Sequence, residues 1–276
     1  MSMHNRWLHR CAILLAAAAF LSVFTGAAVT SNEERPLYSV GQYHLWLSVG
    51  VTVLAIAAVL CMRSAGAGLW LRRLAWMALA GVATEAVLGF MPLPQAPAVR
   101  IAHACLAQVL FPLTVAIAAL SSIRWKPSPA PMEGAGALLL CARVTPFVVL
   151  GQVALGALFR HGVLGVGLHL IGAFLVVLFM LGMALPVIYG PPYPALQLAA
   201  KLFLAAASVQ VFLGMALFSM QSMDVDPGVM IVVTMTHAAF AALTLAGTVM
   251  LAVLIRRDVC RVTDRSIAMG AEQSST

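Results

Sequence analysis

The sequence predicts an all-α polytopic membrane protein whose eight transmembrane helices form two pseudo-symmetric four-helix bundles. Of its 276 residues, 62% are hydrophobic and only 9% are charged, whereas about a quarter of the residues in a soluble domain carry a charge. The apolar residues gather in eight runs of about 20 residues, the length that crosses a bilayer. Similar short motifs recur along these runs, which indicates two related halves.

The eight predicted spans follow in order at 11–30, 40–61, 72–91, 98–120, 138–158, 163–188, 197–219 and 229–255. The first run resembles a secretory signal, but its length and the charge pattern favour a retained first span. The Pro- and Gly-rich segment 126–137 predicts a cytoplasmic linker between spans 4 and 5. The chain therefore divides into an N-terminal half (1–125), this linker, a C-terminal half (138–256) and a cytoplasmic tail (257–276).

The positive charges predict the orientation of the spans. Arg35, Arg100 and Arg160 are the only Lys or Arg in the loops after odd-numbered spans, and the rest of the 16 lie at or towards the N-terminus, the even-numbered loops and the tail. Because cytoplasmic loops are enriched in Lys and Arg, both termini are predicted to be cytoplasmic. The net charge of +7 thus reflects topology. We expect an inner (plasma) membrane protein surrounded by lipid, with no nucleic-acid partner.

A short motif recurs near the end of each odd-numbered span. A polar residue is followed four positions later by a glycine, and the next span then carries a histidine. Glycine at such a place allows close approach to a neighbouring helix or a ligand, or it serves ordinary packing of small residues. The four motifs are Ser22–Gly26, Glu85–Gly89, Gln152–Gly156 and Gln210–Gly214.

Four histidines lie near the start of the even-numbered spans: His44, His103, His169 and His237. With a rise of 1.5 Å per residue, they lie about 6–12 Å below the outer surface. An ionisable ring inside a span is costly and usually functional, although a single one is often satisfied by a neighbouring helix. Four equivalent rings predict two pairs, one in each half. Two imidazoles without Cys or carboxylate partners suit haem iron, which needs only axial ligands, better than zinc.

Other charged side chains lie near these pairs. Arg160 and His161 follow span 5, and Arg100 precedes His103, so these groups serve haem propionates or snorkel to the interface. Glu85 stands where two other repeats have glutamine. It either moves a proton near the first pair or stays protonated and imitates the glutamine as a hydrogen-bond donor.

These residues resemble the haem A synthase family, membrane proteins that help to assemble cytochrome oxidase. The likeness covers most of the chain and rests on TGAAVTS, QYHLW, EAVLGF with RIAHACLAQVL, QVALGALFRHGVLGVGLHLIGA, and QVFLGMALF with MTHAAFAALTLAG. It implies an eight-helix fold in two halves, a haem b bound by His169 and His237, and a substrate site flanked by His44 and His103. The implied reaction oxidises a methyl group of haem O to the formyl group of haem A, with electrons from an outside donor. The implied partners are haem O synthase and oxidase assembly proteins.

The chain departs from the family pattern beside the first histidine. Active members have a carboxylate three residues before it and often an arginine directly after it, whereas this chain has Gly41 and Leu45. The catalytic candidates are then His44, His103 and Glu85, with Glu85 acting from the adjacent helix. The alternative is a non-catalytic bis-histidine cytochrome b that passes electrons or handles haem. A transporter is a third reading, but the ionisable groups cluster towards the outer face and not at the midplane.

Overall fold

Eight long α-helices dominate the described residues of the computed structural model of the chain. They are α1 (Met3–Ser31), α2 (Tyr38–Ser64), α3 (Leu69–Phe90), α4 (Pro97–Leu120), α5 (Ala135–Arg160), α6 (Val166–Tyr189), α7 (Pro194–Met220) and α8 (Pro227–Asp258). The structure describes residues 3–31, 38–90, 96–122, 130–132, 134–191 and 193–261. All eight helices are long and apolar enough to cross a membrane. Lipid offers no hydrogen-bond partners, so the backbone N–H and C=O groups of such runs must bond to one another, as they do in a helix. The predicted all-α class with eight spans is confirmed.

Most helices extend beyond the predicted spans at one or both ends, whereas α6 begins at Val166, three residues after its predicted start. At the start of α8, Oδ1 of Asp226 accepts from the backbone N–H groups of Gly228 (2.8 Å) and Val229 (3.2 Å). This N-cap stabilises a turn that a hydropathy window does not register. Arg256 and Arg257 lie in the last turn of the same helix, where cations complement the helix dipole.

The predicted linker and tail both contain secondary structure. The linker predicted at 126–137 contains a short strand, β1 (Ala130–Met132), and the first turn of α5, while 126–129 and 133 lie outside the described residues. The predicted tail begins inside α8 and continues as strand β2 (Val259–Arg261), which pairs in parallel with β1. Residues 262–276 also lie outside the described residues. The two strands come from distant parts of the sequence, so local composition does not reveal their pairing.

The helices pack as two rings of four. In the N-terminal half α1 contacts α2, α2 contacts α3, α3 contacts α4, and α4 returns to α1. In the C-terminal half α5, α6, α7 and α8 close a ring in the same order. Each half has its own apolar core, with Leu15, Met62 and Ile117 fully buried in the first and Met183 and Leu251 in the second. The equivalent order of contacts gives the pseudo-symmetric arrangement of the two bundles.

The halves meet where α8 contacts α1 and α4, and where α4 contacts α5. A small apolar cluster fills this interface, formed by Ala19 and Val23 of α1, Phe111 of α4, and Ala242 and Ala246 of α8. Helix association inside a membrane depends on close packing, and alanine allows the backbones to approach. The interface therefore holds α4, which carries one histidine, against α8, which carries another.

Candidate functional site

Each of the four histidines packs against the glycine of the preceding odd-numbered helix. At Gly26, Gly156 and Gly214 an added Cβ would press on the ring, because real Cβ atoms rarely come this close to a neighbour, whereas at Gly89 it would make an ordinary contact. The glycines therefore serve close approach to the histidines, one of the two roles that the sequence left open. For the pairs Gly26–His44, Gly89–His103, Gly156–His169 and Gly214–His237, an added Cβ would lie 3.0, 3.6, 3.0 and 3.1 Å from Cε1 of the imidazole.

In the C-terminal half, the glutamine one helical turn before the glycine holds the imidazole. Residues four apart share a helix face, so glutamine and glycine meet the same ring. Nε2 of Gln152 lies 3.0 Å from Nδ1 of His169 and donates to its backbone carbonyl (2.8 Å). Nε2 of Gln210 lies 3.2 Å from Nε2 of His237. Oε1 of each glutamine is buried without a partner. The Gln152 amide is fixed by its donation to the backbone carbonyl, whereas turning the Gln210 amide over lets its oxygen accept from the ring N–H and leaves the other ring nitrogen of His237 to bind.

In the N-terminal half, a carboxylate and a hydroxyl take the place of the glutamines. Oε2 of Glu85 contacts Nδ1 of His103. Oγ1 of Thr25 lies 3.1 Å from Nδ1 of His44. Glu85 thus occupies the glutamine's position and touches the same kind of atom. A partner on Nδ1 fixes the orientation of the ring and directs Nε2 elsewhere, as carboxylates do for histidines that ligate metals.

The two histidines of each half lie on alternate helices of one four-helix ring. His44 lies near enough to His103 for the two rings to interact electrostatically, and the same holds for His237 and His169. The ring of Phe159 stacks on His169, with 6.2 Å between ring centroids. All four imidazoles are partly buried among helices of their own half.

The histidine pairs fit a metal cofactor that brings most of its own ligands. Among the described residues, no three His, Cys, Asp or Glu side chains gather where they could hold a metal ion. A four-coordinate zinc site therefore lacks ligands there. Haem supplies four nitrogens and requires only axial donors from the protein. The buried Nδ1 of His237, which has no hydrogen-bond partner, is available for such a role.

Arg160 links the two halves and also lies beside the second histidine pair. Its Nη2 donates to Oγ1 of Thr30 (2.8 Å), Oγ of Ser31 (2.7 Å) and the carbonyl of Ala27 (3.3 Å), all near the end of α1. It is also close enough to His237 for an electrostatic interaction. Arg160 is thus near the second pair as expected, but its contacts with α1 were not predicted.

The sequence motif did not reveal two polar residues of this region. Gln108 of α4 is buried, and its Nε2 donates to the carbonyl of Ala238, the residue after His237 in α8 (3.2 Å). Its polarity in an apolar span was the available signal. Thr25 directly precedes Gly26 and so does not occupy the glutamine's position in the repeat. Comparison of the repeats therefore overlooks it.

Neither a protein-family model nor a curated protein matches this chain. The fold and the site nevertheless define a class of protein. It is a polytopic α-helical membrane protein with one pair of glycine-packed histidines in each four-helix half.

Proposed function

We propose that the chain is a haem-binding membrane oxidoreductase of the haem A synthase kind, which converts haem O to haem A for cytochrome oxidase assembly. One repeated arrangement carries this proposal. In each repeat a histidine packs against a glycine of the preceding odd-numbered helix and is contacted by a polar side chain of that helix, and each half contains two such histidines. The sequence motifs that resemble that family indicate which reaction to propose. The excess of Lys and Arg in the even-numbered loops supports an inner (plasma) membrane location with cytoplasmic termini.

His169 and His237 would hold a resident haem b in this proposal. That haem supplies one-electron redox chemistry when bound. Gln152 and Gln210 orient the two imidazoles, and Arg160 contributes positive charge at the rim. Oxidase assembly proteins and haem O synthase are the proposed partners, because the substrate and the product are haems.

His44 and His103 hold the haem O substrate in the N-terminal half. Each hydroxylation of its methyl group consumes one dioxygen, two protons and two electrons from an outside donor, and releases one water. After two hydroxylations the resulting diol loses water and leaves the formyl group. Glu85 contacts Nδ1 of His103 and so fixes the orientation of that ring. It is also the candidate to pass protons to this site.

A non-catalytic bis-histidine cytochrome b is the second candidate, and Gly41 favours it. Among the described residues, no heavy atom lies within 4 Å of a Cβ added at this position, so none of them blocks the carboxylate that active members of the haem A synthase family carry. Glu85 is already engaged by His103. The cytochrome would retain both histidine pairs and lack only the oxidation of haem O.

Expression with a source of haem O, followed by mass analysis of the extracted haems, separates the two candidates. We expect haem A or its hydroxylated precursor from the wild type, and a bis-imidazole haem b spectrum from the purified protein. His169→Ala and His237→Ala should each remove most of that spectrum. His9→Ala is the control, because His9 bonds to Ser121 at the opposite end of the bundle (3.2 Å). Bound haem O that stays unchanged would establish the cytochrome, and a colourless wild-type protein would refute both candidates.

A further inference from the structure

Two pairs of tryptophan and arginine lie on the N-terminal half, at the end of the bundle opposite the histidines. In α1, Cζ of Arg10 lies 5.6 Å from the centroid of the Trp7 ring. In α3, Cζ of Arg73 lies 5.5 Å from the centroid of the Trp70 ring. Both tryptophans are exposed, by 60% and 76%, and both arginines are exposed as well. Each pair therefore stands on the outer surface of the bundle and not in its core.

The two pairs occupy equivalent positions in the repeat. Arg10 precedes Gly26, the glycine of α1 that packs on a histidine, by 16 positions, and the tryptophan lies three positions before the arginine. Arg73 precedes Gly89 of α3 by the same 16 positions, with the same tryptophan spacing. With a rise of 1.5 Å per residue, each arginine lies about 24 Å from the level of the histidines, close to the far boundary of a hydrocarbon core about 30 Å thick. The pairs therefore lie at the level of the lipid headgroups.

The C-terminal half has different residues at the corresponding positions. Counted back from the glycine in the same way, they are Ala137 and Leu140 in α5, and Ala195 and Leu198 in α7. All four of these residues are exposed, like the tryptophans and arginines of the N-terminal half. The same two positions thus face outwards in every repeat, and only their chemistry differs between the halves. The N-terminal half alone presents an indole and a guanidinium there.

The charge at this end of the N-terminal half suits an anionic lipid. Neither Arg10 nor Arg73 has an acidic partner among the described residues. The sequence has no Asp or Glu from residue 1 to 32 or from 35 to 84. A guanidinium that stacks on an indole can still donate from its edge to a phosphate. Indole rings favour the boundary between headgroups and hydrocarbon, which favours a lipid over an acidic protein as the ligand.

We propose that each pair binds the headgroup phosphate of one anionic phospholipid, so that α1 and α3 hold two such lipids at the end opposite the histidines. The arginine donates to the phosphate oxygens, and the tryptophan orients the guanidinium and covers the lipid below its headgroup. The orientation of the spans requires only cations near one end, with no tryptophan at a fixed spacing. The repeated pair is therefore a feature that topology leaves unexplained. Binding of these lipids does not depend on haem.

Native mass spectrometry of the full-length purified protein tests the proposal. The protein is placed in detergent micelles with equal amounts of phosphatidylglycerol and phosphatidylcholine that have the same acyl chains. The lipids that remain bound in the spectrometer are then counted. Arg10→Gln and Arg73→Gln are the test variants. Arg143→Gln is the matched control, because Arg143 is an exposed arginine of α5 that has Leu140, and not a tryptophan, three positions before it.

The wild type should retain two molecules of phosphatidylglycerol, each preferred over phosphatidylcholine roughly fivefold. Each test variant should lose one of the two, and the double variant should lose both. Arg143→Gln should retain both. Transfer of the pair provides a test that does not depend on a loss. Ala137→Trp/Leu140→Arg places the pair at the equivalent, exposed positions of α5 and should add a third molecule.

Three results would overturn the proposal. If Arg143→Gln loses as much phosphatidylglycerol as Arg10→Gln and Arg73→Gln, net charge and not the pair attracts the lipid. If Trp7→Leu/Trp70→Leu retains both molecules, the indoles have no part in the site. A wild type that binds the two lipids equally would have no site for an anionic headgroup, and an acidic protein would then be the better partner for these arginines.

Discussion

The histidines depend on glycines that leave them room. In a helix interior, glycine is less favourable than alanine by about 1 kcal/mol, so its recurrence opposite each imidazole needs a compensating reason. The contact with Cε1 provides that reason at Gly26, Gly156 and Gly214, where an added Cβ would press on the ring, while Gly89 makes only an ordinary contact with His103. The lack of a side chain at the glycine of the neighbouring helix therefore determines where the imidazole lies.

Gly156→Ala should displace His169 and weaken haem b retention roughly tenfold, since overpacking a tight site costs about 1–3 kcal/mol. The new Cβ would lie 3.0 Å from Cε1 of that ring. The measurement is the rate of haem loss to an excess of a haem acceptor protein. Gly151→Ala is the control on the same helix, where an added Cβ meets no atom within 4 Å. Equal rates for the two variants would contradict the role of the glycine.

Glu85 is expected to act first as a positioning residue for His103. Glu85→Gln reproduces the side chain that two other repeats use, so we predict that it retains haem at the first pair. Glu85→Leu removes the ring's partner and should lose most of that haem. The ratio of haem to protein measures both outcomes. If Glu85→Gln loses haem as fully as Glu85→Leu, the negative charge holds the ring and the analogy with glutamine is wrong. A loss of haem A formation without a loss of haem would assign Glu85 the proton-transfer role.

Among the elements, an odd helix and the even helix after it form the recurrent unit. The polar residue and the glycine four positions later lie on one face of the odd helix, and the histidine lies on the facing side of the next. One such pair, α3 and α4, also packs closely at a point farther from the histidines. Gly81 of α3 lies against the side chain of Leu110 of α4, so that an added Cβ would overlap it. The contact keeps α3 and α4 close enough for Glu85 to reach His103.

Gly81→Ala should therefore lower the stability of the N-terminal half by about 1–3 kcal/mol, because Leu110 and its neighbours must shift. A fall in the melting temperature of the detergent-solubilised protein would show this. The control is Gly50→Ala on α2, where the new methyl group meets open space. An unchanged melting temperature for Gly81→Ala would show that Leu110 relaxes without cost.

At the scale of the whole molecule, apolar packing and two sets of hydrogen bonds join the halves within the described part of the chain. Alanines of α8 pack against α1 and α4, Gln108 bonds to the backbone beside His237, and Arg160 bonds to the end of α1. Only the first is apolar. Interhelical hydrogen bonds in membranes average about 0.6 kcal/mol, so the close apolar packing should dominate the association.

Ala242→Leu should separate the halves, since Ala242 is fully buried at their interface. We expect a lower melting temperature and faster proteolysis than in the wild type, because a leucine there forces the helices apart. Ala205→Leu is the control, as Ala205 is exposed on α7 and its extension faces lipid. Similar stability of both variants would show that the alanine cluster is not what holds the halves together.

The membrane class, the eight spans and the repeated glycine and histidine were all predictable from the sequence. Each depends on local composition or on spacing within one helix, and the bilayer restricts such apolar segments to helices. The pairing of the histidines followed from the same repetition, because equivalent helices occupy equivalent places in each half. The predicted orientation depends on the charge of the loops in the same local way.

The remaining features depended on how distant helices meet. The bond of Thr25 to His44, the bond of Gln108 to Ala238, and the pairing of β1 with β2 each join segments from different elements. The same is true of Arg100 and Arg160, which the sequence assigned to separate sites and the fold places around one cavity. Local hydropathy does not specify the rotation of one helix about its axis relative to another, and that rotation selects these partners.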